Sequence, residues 1–153
     1  MTWWRFVLAA FAAGAATVVV VHQPLVLAAH HLVGTPWIAF STVATRPLGV
    51  PAWLSAMAWG GAWVALLAPW WRRGRGVVTS GMARDRRISR LAAIVSCAVL
   101  PTAVGAVLMA RGLTFPPLDD HPWRAAIAAL AINGVWGWSA AAVLEALRGA
   151  PRR

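Results

Sequence analysis

The residues able to do chemistry in this 153-residue chain are few, and they fall in three short stretches. His22, His30 and His31 lie in VVVVHQPLVLAAHH, His121 follows Asp119 and Asp120 in FPPLDDHPW, and Asn133 stands alone in AINGVWGW. Neutral imidazoles and carboxylates brought together would suit a transition metal such as zinc. Two axial histidines would suit a haem, and a histidine near neutrality could also sense pH. The spacing favours something plainer. His22 and His30 are eight residues apart, about 80° around an ideal helix. Pro24 bends what lies between them, and no HxxxH or HExxH pattern occurs. Asp120 and His121, just before Pro122, read as a helix start, where the dipole favours carboxylates. We therefore expect interfacial and capping roles, with no bound cofactor. His22 should mark where the first apolar segment leaves the hydrocarbon, its ring in the outer interface and Gln23 reaching water beside it. A zinc or haem site on His22, His30, His31, Asp119, Asp120 and His121 is the alternative.

The composition says where these residues must be held. Hydrophobic residues make up 60% of the chain and charged residues 12%, against roughly 45–50% and 25% in soluble domains. This is the balance of an integral membrane protein. The net charge of +10 raises the question of nucleic acid, and its placement answers it. All fourteen basic residues are arginine, and seven lie between Arg72 and Arg90 with no aromatic residue among them to stack on bases. Nucleic-acid binding is not expected. The single cysteine, Cys97, sits in an apolar segment, which excludes an intrachain disulfide. Arginine without lysine, with abundant Ala, Gly and Pro, suggests a GC-rich bacterial gene.

A hydrocarbon core of about 30 Å takes roughly 20 apolar residues as helix. Four segments qualify: 4–21, which could extend to 33, then 53–71, 91–110 and 125–147. Trp3, Trp4, Trp53, Trp70, Trp71 and Trp123 fall at span ends, where amphipathic rings favour the headgroup layer. The basic loop 72–90 should be cytoplasmic by the positive-inside rule, and alternation then places both termini there too. Eleven arginines lie inside on this reading and three outside. A secretory signal cut after Ala28 is the competing reading of the first segment. Loop 34–52 is rich in Pro and Thr yet apolar, and should rest on the outer membrane surface, the alternative being a short re-entrant excursion.

Between helices in lipid, close packing over small residues and occasional hydrogen bonds replace the hydrophobic drive. Ala52, Ala56 and Gly60 recur every four residues, with Gly61 and Ala65 on the next strip; Ala129, Asn133, Gly137 and Ala141 do the same in the last span. These read as packing faces within one bundle, or as a face for a second copy. Asn133 should hydrogen-bond another helix, the alternative being that it lines a polar path. Mid-span Trp59, Trp63, Trp136 and Trp138 read as fillers opposite glycine. Pro101 should kink the third span, with Ser96 and Thr102 near the carbonyl it frees; Pro24 and Pro101 are the candidate hinges. Glu145 should pair with Arg148 three residues on.

The order of His22-Gln23-Pro24, Pro47-Leu48-Gly49-Val50-Pro51, Trp59-Gly60-Gly61-Ala62-Trp63 and Asn133-Gly134-Val135-Trp136-Gly137 resembles a group of small four-span bacterial membrane proteins of unknown function. The resemblance covers most of the chain apart from the 72–90 loop and the tail. It implies architecture and no activity. The expectation is a single all-α domain, four transmembrane helices in a bundle with both termini cytoplasmic, in a bacterial inner membrane. No nucleophile–base pair, phosphate loop or paired in-membrane carboxylate points to an enzyme. The expected function is non-enzymatic, through helix packing, as a homo-oligomer or accessory to a larger membrane complex in the bilayer. The alternative is a transporter or channel component for a small neutral solute, routed past Asn133.

Overall fold

The computed structural model describes residues 2–45, 49–72, 88–111 and 122–149. Among the described residues five helices form: α1 (Trp3–Thr17), α2 (Gln23–Val33), α3 (Ala52–Trp71), α4 (Arg90–Ala110) and α5 (Pro122–Gly149). One wide π turn, Val18–His22, joins α1 to α2. These make four stretches long and apolar enough to cross a membrane, the first running from Trp3 to Val33 without a break. That continuity differs from an exit near His22, and Pro24 explains both. Proline has no N–H and its ring crowds the carbonyl four residues back. Widening the preceding turn relieves that crowding, as single π turns inside helices do. The helix therefore carries on eleven residues past His22. It stops at Gly34, which adopts φ +73° and returns its N–H to His30, a left-handed cap that favours glycine.

The helices pack as two pairs. In the first, α1 lies against α3 where Gly14 faces Gly60: a Cβ on Gly14 would stand 2.6 Å from the Gly60 carbonyl oxygen. In the second, α4 lies against α5, where a Cβ on Gly137 would stand 2.5 Å from Cys97 Cβ and 2.6 Å from the Ala93 oxygen. The small residues thus act as backbone-to-backbone seams, as expected of membrane helices. α1 and α5 join the pairs through buried Trp136, which fills the space opposite Gly60 and donates its indole N–H to the Gly14 carbonyl at 3.2 Å. Phe6, Val64, Trp71 and Leu144 extend this core towards the other end of the bundle.

Trp71 corrects the aromatic belt drawn from the sequence. Trp3, Trp4, Trp70 and Trp123 are exposed, but Trp71 is fully buried and donates to Ser96 Oγ at 3.0 Å, tying α3 to α4. Its carbonyl also accepts from Ser89, whose hydroxyl caps α4. Beyond α2 the chain folds back. Trp37 and Ala39 pack on Val26, Ala29 and Ile132, and an isolated bridge pairs Ala44 with Pro51 before α3 begins.

Candidate functional site

The three residues His22-Gln23-Pro24 do three different things. Pro24 sets the π turn. Gln23 is buried, and its Oε1 accepts the backbone N–H of Phe40 at 2.7 Å. Phe40 has φ +52°, a left-handed backbone that a bulky residue rarely adopts, so Gln23 clamps the returning loop at its most strained residue. His22 turns inward. Its ring meets Trp136 edge-on, centroids 6.3 Å apart at 85°, beside the Asn133 side chain. Its Nδ1 is enclosed, with no hydrogen-bond partner among the described residues.

Asn133 extends the row. It donates through Nδ2 to Thr102 Oγ1 at 2.9 Å, joining α5 to α4, with His22 of the π turn beside it. Asn133 lies eleven residues in from Pro122, roughly 16 Å along the helix, and all three residues of the row are half-buried. The expected interhelical bond of Asn133 is therefore present. The ring of His22, expected to face outward, is instead aimed at α5 by the π turn and the uninterrupted helix.

The histidines consequently separate. His22 is packed in the bundle, whereas His30 and His31 are exposed at the far end of α2, ring centroids 5.3 Å apart. His30 Nδ1 lies 2.7 Å from the Thr35 carbonyl, which can only accept. Asp119, Asp120 and His121 lie outside the described residues. Among the described residues no three His, Cys, Asp or Glu side chains gather in one place.

The packing residues stand where the spacing suggested. Gly60 and Gly61 face α1, at Gly14 and Phe11, and Gly137 faces Cys97; Ala56 packs against the same core. Trp136 is a filler opposite glycine, but Trp59 is 65% exposed and turned outward. Pro101 lies within α4, which runs unbroken across it. Ser96 donates to the Ala92 carbonyl, and Thr102 accepts from Asn133. Glu145 reaches across to α4, accepting from Arg90 at 2.9 Å in an exposed pair. The roles of Gln23, Trp71 and Thr17, whose hydroxyl donates to the Ala13 carbonyl, were missed from sequence. A buried polar residue beside a proline was the available signal for Gln23. No family model, curated protein or solved structure matches this chain.

Proposed function

We propose that this chain is a non-enzymatic integral membrane protein, both termini cytoplasmic, of a bacterial inner membrane. It acts through helix packing, as an oligomer or as an accessory subunit of a larger membrane complex. One observation carries the reading: the small and polar residues of the bundle interior are spent on joining helices. Gly14 meets Gly60, Gly137 meets Cys97, and Asn133 donates to Thr102. What remains outward is apolar, most clearly on α4, where Leu91, Val95, Val99, Val104 and Val107 are all exposed. In a bilayer that face offers van der Waals contact to lipid or to another helix equally well. Native mass spectrometry from lipid nanodiscs tests the reading. Multiples of the 16.3 kDa chain, or a fixed-stoichiometry complex with a second subunit, are expected. Single chains alone, extracted gently from cells at native expression levels, would overturn it.

A second reading, a component of a route for a small neutral solute, draws on the polar row His22, Asn133 and Thr102. The row crosses the bundle, and the only charged residues of the described spans lie near helix ends. An ion on that path would lack a counter-charge, which is why the solute would be neutral.

A further inference from the structure

We propose that His30 and His31 form a binding site for a divalent transition-metal ion, zinc or copper, at the C-terminal end of α2. The proposal does not depend on whether the chain works alone or in a complex. It starts from the hydrogen bond between His30 and Thr35. The Thr35 carbonyl can only accept, so at 2.7 Å His30 Nδ1 must carry the ring proton. Nε2 then keeps its lone pair, on a side chain that is exposed. This is the arrangement in which metal-binding histidines are held: one nitrogen donates to a carbonyl, which fixes the tautomer and raises the basicity of the other.

His31 supplies the second imidazole, also exposed, at 5.3 Å between ring centroids and 73° between planes. A metal sits about 2.0–2.1 Å from a ligating nitrogen, hence roughly 3.2 Å from the ring centre, and two such rings at a tetrahedral angle stand about 5 Å apart. The observed separation lets two imidazoles share one ion once a rotation of the exposed His31 ring turns its nitrogen towards His30 Nε2. Imidazole suits zinc and copper, and two positions stay open for water or another donor. Gly34 makes the arrangement possible. Its φ of +73° turns the chain so that the Thr35 carbonyl comes back to His30, and a Cβ there would meet no atom within 4 Å. A substitution at Gly34 therefore acts on the backbone conformation without a clash.

The test uses the full chain, purified without a histidine tag, in lipid nanodiscs. It combines calorimetric titration with zinc and electron paramagnetic resonance of the copper-loaded protein. One ion per chain is expected, with superhyperfine splitting from two imidazole nitrogens. His30→Ala and His31→Ala should each weaken zinc binding by roughly tenfold or more, and Gly34→Ala, with both histidines present, by roughly tenfold. His22→Ala should leave binding unchanged, since that ring is packed in the bundle. Circular dichroism of each variant separates loss of binding from loss of fold. A helix cap and nothing more would give no zinc heat above buffer, and that result overturns the site. So does a copper spectrum with one nitrogen, zinc affinity that survives when His30→Ala and His31→Ala are combined, or affinity that falls with His22→Ala instead.

Discussion

At the scale of single residues, magnitudes separate what holds the bundle together from what decorates it. The bond from Asn133 to Thr102 belongs to a class worth about 0.6 kcal/mol on average in membrane helices. The exposed pair of Arg90 and Glu145 is worth at most about 1 kcal/mol. Gly137 matters more, because two backbones meet over it. Gly137→Val would drive carbon into Cys97 and the Ala93 carbonyl, and overpacking of that kind costs about 1–3 kcal/mol. Gly105 is the matched control: it lies in the neighbouring helix, and a Cβ there meets open space. In mild detergent, Gly137→Val should lower the thermal aggregation midpoint clearly, and Gly105→Ala should leave it unchanged or raise it. Equal midpoints for the two variants would show that α4 and α5 are not in close contact at Gly137. This much was legible beforehand, since four-residue spacing of small residues marks a face. Which helix would fill it was not, because a face carries no address.

At the scale of elements, the first apolar segment was only partly legible. A proline after a β-branched run reads as a bend or an exit, so a span ending near residue 21 and one running on to 33 both stood open. A π turn leaves no periodic trace in one helix, so the choice of the longer span and the inward aim of His22 were not readable. So did the job of Gln23, whose partner lies seventeen residues away in a loop. That clamp makes a sharp prediction. Gln23→Leu keeps the size and the burial but removes the acceptor, leaving the Phe40 N–H unpaired at a left-handed residue. Phe40 is exposed and the bond only part-buried, so its loss costs about 0.5–1.5 kcal/mol, and the Phe40 amide should exchange with deuterium roughly tenfold faster. Amides in the middle of α5 should keep their protection. Unchanged exchange at Phe40 would mean that the loop is held by Trp37 and Ala39 packing alone.

At the scale of the whole molecule, four apolar helices were readable because each needs only length and composition. Their orientation rests on charge, and charge can be moved. Of the eleven arginines assigned to the cytoplasmic side, seven lie between Arg72 and Arg90. Replacing those seven with glutamine leaves four inside against three outside, and so removes nearly all of the bias that sets topology. The chain also supplies a quiet background for measuring it. Its one cysteine, Cys97, is fully buried, so a cysteine placed at exposed Thr42 would report alone. In spheroplasts, Thr42→Cys in the native sequence should react fully with a membrane-impermeant maleimide. With the seven glutamines the labelled fraction should fall to roughly half, as the population splits between two orientations. The helix seams do not distinguish the two faces of the membrane: Gly14 meets Gly60 and Gly137 meets Cys97 in either orientation. Full labelling in both proteins would therefore place the orienting signal elsewhere, in the insertion of the first segment with Arg5 at its start. No labelling in the native background would invert the topology, and would place residues 34–52 and the two exposed histidines of α2 on the cytoplasmic side.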